Sequence, residues 1–70
     1  MDRAERDALV SALDRLPPEQ RDVLRLRFVD GRDVADTARA MGRAEAEIVQ
    51  LQARALRALR RVLEPGARPV

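Results

Sequence analysis

The chain has 70 residues, no cysteine, no histidine and a single aromatic residue, Phe28. That composition excludes disulfides, thiolate or imidazole metal sites, the usual general base, and a stacking platform for single-stranded nucleic acid. The formal net charge is only +2, but residues 1–50 hold nine Arg and eleven acids, a net of −2, whereas residues 51–70 hold five Arg and one acid, a net of +4. A chain this short allows one small domain with a thin core. Its positive field is concentrated at one end, as in a nucleic-acid reader whose other faces meet protein. All fourteen basic residues are Arg, a choice that suits bidentate contact to phosphate or guanine but follows equally from a GC-rich genome. No apolar run reaches the length of a membrane span and no signal peptide is recognisable, so a cytoplasmic protein is expected.

Met1 to Leu16 reads as a first helix. Asp2 suits the N-cap with Glu5 three residues on, and Leu9, Ala12, Leu13 and Leu16 recur at helical spacing. Pro17 pushes Leu16 out of the helical region, and Pro18 suits the first turn of a second helix. That helix is expected to run to about Val29 and to stop at Asp30-Gly31. Its apolar residues Val23, Leu24, Leu26, Phe28 and Val29 cover more than half of its circumference. Two explanations stand: a central helix buried on two sides, or a surface of which part is a groove for a partner's helix. Asp33 caps a short third helix, Val34 to Met41, with Asp36 favouring the positive helix end. Thr37 falls near the inward side, where its hydroxyl is expected to bond back to a carbonyl one turn earlier. Gly42 stops this helix, and Arg43-Ala44 complete a short turn.

The next nineteen or so residues, to Leu63, contain no Gly or Pro and are rich in helix formers. At about 100° per residue, Ile48, Leu51, Gln52, Ala55, Leu59 and Val62 gather on one face. Gln50, Arg54, Arg57 and Arg61 fall within about 60° of one another on the opposite face. Such a helix docks on a small body and presents positive charge outward, and helix, Gly-containing turn, helix is the helix-turn-helix pattern. Pro65-Gly66 ends the helix, leaving residues 65–70 as an expected flexible tail behind a domain of residues 1–64. No strand pattern appears. The expectation is an all-α, compact four-helix domain with a helix-turn-helix and a long C-terminal recognition helix. No cofactor or metal is expected. Carboxylates such as Asp33 and Asp36 are better explained as helix-start residues than as an acid–base pair, and no Gly-rich phosphate loop or metal-ligand spacing occurs.

The ordered set Leu16-Pro17-Pro18-Glu19-Gln20-Arg21, Val23-Leu24-Arg25-Leu26-Arg27-Phe28, Gly31, Val34-Ala35 to Met41-Gly42, and Ala53-Arg54-Ala55-Leu56-Arg57-Ala58-Leu59-Arg60 resembles region four of bacterial sigma factors. The Leu-Pro-Pro opening resembles the extracytoplasmic-function group most. The resemblance covers roughly residues 9–63. It implies a domain that reads the −35 promoter element of double-stranded DNA in the major groove and docks on the flap of the RNA polymerase β subunit. It also implies regulation by an anti-sigma factor. The DNA contacts it implies are Arg39, Arg43, Glu45, Ala46, Gln50, Arg54 and Arg57. The partner contacts are Leu13, Leu16, Val23, Leu24, Arg27 and Phe28. Nothing resembles region two, so an excised domain or a stand-alone derivative is expected.

The chain departs from the family where base reading begins. Ala44 stands where Ser or Thr usually caps the recognition helix, Val49 where Lys or Arg is usual, and Glu45 and Leu51 where Arg is frequent. A bidentate Arg–guanine contact is worth about 1–3 kcal/mol of discrimination. Gln50 remains as an adenine reader, and Arg54 and Arg57 keep the phosphate attraction. The alternative function is therefore a sigma-like interaction domain whose main partner is an anti-sigma factor or another regulator.

Overall fold

The structure, a computed structural model, describes residues 2–64, and all regular structure among them is helical. Helix α1 spans Arg3–Leu13, α2 Pro18–Leu24, α3 Val34–Met41 and α4 Glu45–Leu63, and α2 runs on through a π-helical turn, Arg25–Val29. Pro65, Gly66 and the expected tail lie outside the described residues, as does Met1.

Helices α1 and α3 begin where the sequence supplies an acceptor for a free backbone N–H. The Asp2 carboxylate accepts from Glu5 N–H at 2.9 Å, and the Asp33 carboxylate accepts from Asp36 N–H at 2.8 Å. Pro18 opens α2, where a missing N–H costs nothing. Ala44 has no side-chain acceptor, so α4 begins with the reverse arm only: Ala44 N–H donates to the Glu47 carboxylate at 2.9 Å. Gly42 closes α3 in the left-handed conformation, φ +65°, with Arg43 N–H donating to the Ala38 carbonyl at 2.9 Å. That 6→1 bond turns the chain sharply into α4.

One boundary and one helical turn differ from the expectation. α1 ends at Leu13, three residues early, because Arg15 and Leu16 N–H groups bond to the Ala12 and Leu13 carbonyls in a tighter turn. That turn swings Leu16 back into the core at 7% exposure while Pro17 leaves in an extended conformation. The second helix reaches Val29 as expected, but its last turn is π-helical, with Asp30 N–H donating to the Arg25 carbonyl at 2.9 Å. A π turn carries one surplus residue, so it rotates Arg27 and Phe28 relative to the face that α2 alone would dictate.

The core lies between the four helices and is built from Ala12, Leu13, Leu16, Val23, Leu24, Ala38, Ile48, Leu51, Ala55 and Leu59. α4 supplies four of these ten from the apolar face that its periodicity defines, with Gln52 and Val62 half-buried at its margins. Thr37 is fully buried, yet its hydroxyl has no partner. The expected back-bond to a carbonyl one turn earlier does not form; instead the Thr37 N–H donates to the Asp33 carbonyl.

Candidate nucleic-acid interface

With its apolar face sunk in the core, α4 exposes the opposite side along its whole length. Glu45, Ala46, Gln50, Arg54, Arg57 and Arg61 are all exposed. Helical geometry brings Gln50, Arg54, Arg57 and Arg61 onto one strip. No carboxylate among the described residues pairs with Arg54, Arg57 or Arg61. These three guanidiniums therefore project their full charge into solvent, where it acts on a polyanion.

The two arginines nearer the turn stand differently. Arg39 pairs with Asp36 one turn earlier on α3. Arg43 pairs with Glu19 at the start of α2 and lies 3.7 Å from the Glu47 carboxylate. Both side chains are exposed enough for these pairs to be weak. Even so, their charge is shared locally, and Arg43 acts as a tie between α2 and the first turn of α4. Glu45 and Glu47 favour the positive end of the helix dipole and make the beginning of α4 its acidic part.

The residues expected on the partner side are mostly buried. Leu13, Val23 and Leu24 are at most 1% exposed and Leu16 is 7% exposed. These four are core residues, because their side chains are what the neighbouring helices pack upon. Leu13 and Leu24 form the floor of an apolar groove whose other lining residues are Leu9, Phe28, Leu56 and Leu59. Phe28, 49% exposed, forms the wall of this groove. The wide apolar arc of the second helix is thus divided: Val23 and Leu24 are buried, and Phe28 opens to solvent. Arg27 is half-buried, with Nε donating to Gln52 Oε1 at 2.8 Å and Nη1 donating to the Arg32 carbonyl at 2.6 Å. Its guanidinium is engaged inside the domain and is not a free contact for a partner.

Sequence reasoning passed over an exposed apolar flank of α4, of which Leu56 also lines the groove. Val49, Leu56 and Leu63 are 57%, 41% and 50% exposed. They recur at intervals of seven, which places them within about 40° of one another on the flank of α4 away from the arginine strip. The signal was the seven-residue spacing of large apolar residues off the main core face, which a search for a single apolar stripe overlooks.

A short helix, a left-handed glycine turn and a long helix with an arginine strip define a helix-turn-helix domain. Residues 12–61 match the family described as Sigma-70, region 4, and the chain belongs to that family. The family is one of transcription initiation factors, not of enzymes. The chain is 49% identical over 61 residues to the ECF RNA polymerase sigma factor BldN of Streptomyces coelicolor; the match covers 87% of this chain and 23% of BldN. It also resembles a chain in the solved structure of the RsbN–BldN complex, with a TM-score of 0.78 and 47% identity, covering 84% of this chain and 43% of that one. The chain thus spans about a quarter of the sigma factor it matches. Among the described residues, no helix is long and apolar enough to cross a membrane.

Proposed function

We propose that this domain binds the −35 element of promoter DNA in the major groove, with α4 as its reading helix, and docks on the RNA polymerase β flap through the groove beside Phe28. The observation that carries the first part is the strip of Gln50, Arg54 and Arg57, exposed together and without carboxylate partners among the described residues. Gln50 offers the bidentate amide that suits adenine, and the arginines suit phosphates flanking it. The acidic start of α4 limits base reading to few positions, so phosphate attraction supplies most of the affinity. The cytoplasm is where such a domain meets its promoter and its polymerase. Fluorescence anisotropy on short duplexes over a salt series tests this reading. Binding is expected to weaken with a log–log slope of about −0.9 per phosphate neutralised; a flat salt response, or no binding at low salt, contradicts it.

A second reading is favoured by the groove itself and by the apolar flank of Val49, Leu56 and Leu63. In it the domain is chiefly a protein-interaction module, held by an anti-sigma factor or another regulator. The RsbN–BldN complex shows that a similar chain assembles with a protein partner. Titrating a β-flap-tip helix peptide into the protein, with and without Phe28→Asp, separates the readings. Tight peptide binding lost in Phe28→Asp, with no duplex binding at low salt, favours the interaction module alone.

A further inference from the structure

The Arg27 guanidinium joins α4 to the segment that leads into α3. Nε donates to Gln52 Oε1 at 2.8 Å on α4, and Nη1 donates at 2.6 Å to the Arg32 carbonyl, immediately before the Asp33 cap of α3. The Arg27 guanidinium carbon also lies 5.9 Å from the Phe28 ring centroid, at the outer limit of a cation–π contact. Arg27 sits in the π turn, whose surplus residue changes the direction of its side chain relative to α2. Gln52, a polar residue on the half-buried margin of α4, has its carbonyl oxygen satisfied by this bond.

We propose that Arg27 is a positioning residue for sequence reading: bonded to Gln52 and the Arg32 carbonyl, it fixes the roll of α4 about its own axis. Apolar contacts hold a helix against its neighbours but resist sliding and rolling weakly, whereas a directional hydrogen bond near 2.8 Å tolerates little of either. Gln52 lies two residues beyond Gln50, on nearly the opposite side of the helix. A roll of about 15° shifts a side chain at the helix surface, about 5–6 Å from the axis, by roughly 1.5 Å. That shift breaks the alignment a bidentate amide–adenine pair needs, yet it leaves phosphate attraction almost unchanged, since guanidiniums reach phosphates over a range of geometries. Arg27 therefore sets selectivity rather than bulk affinity. This inference rests on the promoter-DNA reading above.

The test is selection of bound duplexes from a randomised library, followed by the affinity ratio of the enriched duplex to a random one. Arg27→Met and Gln52→Met are each expected to lower that ratio about tenfold, the loss of one well-aligned base contact. Affinity for random duplex should change by less than about threefold, consistent with the loss of one positive charge off the reading face. The double variant should be no worse than either alone, because both remove the same bond. Gln52→Glu keeps an acceptor for Arg27 and is expected to stay within about twofold of the wild-type ratio. Arg25→Met removes the same charge from the same turn, where Arg25 faces Asp14 at 3.5 Å, and should leave the ratio unchanged. An Arg27→Met protein that selects as sharply as wild type overturns the positioning role while leaving the promoter reading intact. So does an equal loss of ratio in Arg25→Met, or a loss that merely tracks the fraction unfolded by circular dichroism. A wild-type protein that enriches no sequence overturns the promoter reading and this inference together.

Discussion

On one exposed flank of α4 stand Gln50, Arg54, Arg57 and Arg61; on the other stand Val49, Leu56 and Leu63, separated by sevens. Both flanks belong to one helix of nineteen residues, and both are positioned by the same buried face of Ile48, Leu51, Ala55 and Leu59. The arginine flank fits a polyanion. Leu56 of the apolar flank also lines a groove floored by Leu13 and Leu24 and walled by Phe28. One helix therefore offers two surfaces of different chemistry, more than a quarter turn apart. On the proposed reading, DNA and a protein partner need not compete for the same side chains, and substitutions should separate the two proposed activities.

The core that supports both flanks is the place to expect the largest effect. Leu24→Ala should cost about 2–5 kcal/mol, most or all of the stability of a domain this small; thermal unfolding followed by circular dichroism reads it. A melting temperature within a few degrees of wild type would mean that the groove floor is not part of the core. Next comes the arginine flank. Arg54→Ala combined with Arg57→Ala should make the salt slope of duplex binding shallower by about 1.8 and weaken binding about tenfold or more at low salt. Binding of a flap-tip helix peptide should be unaffected.

Phe28→Asp inverts that pattern. Peptide affinity should fall about tenfold, as for loss of an aromatic anchor, while duplex affinity stays within about threefold. Equal losses in both assays would erase the distinction between the flanks. The smallest effect is expected at the turn that aims α4. Ala44→Ser supplies the missing cap and should stabilise the protein by about 1 kcal/mol, measured by urea denaturation; no gain would mean that the Glu47 arm already suffices.

Much of this geometry was legible in local sequence. Asp33 and Gly42 bracket α3 because a short carboxylate and a residue without Cβ each meet a need that arises within four residues. The arginine strip followed from the period of α4, which a long uninterrupted helix preserves. The rest depended on contacts between distant parts of the chain. The Arg27–Gln52 bond joins residues 25 apart, and the Arg43–Glu19 pair joins residues from α2 and the α3–α4 turn. No local rule assigns Arg27 inward or fixes Arg43 against Glu19. The π turn at Arg25–Val29 is of the same kind, since nothing in Arg-Leu-Arg-Phe-Val disfavours an ordinary α turn. The depth of the groove residues was hidden for a related reason: Leu13 and Leu24 are apolar at helical spacing, and spacing alone does not distinguish a groove's floor from its rim.

The most direct test of the two-flank account is an amide chemical-shift titration of the protein with a short duplex at low salt. The account predicts that the largest shifts fall along Gln50, Arg54 and Arg57, with Phe28 and Leu56 nearly unmoved. Shifts centred on Phe28, Leu56 and the groove, with the arginine strip silent, would contradict it.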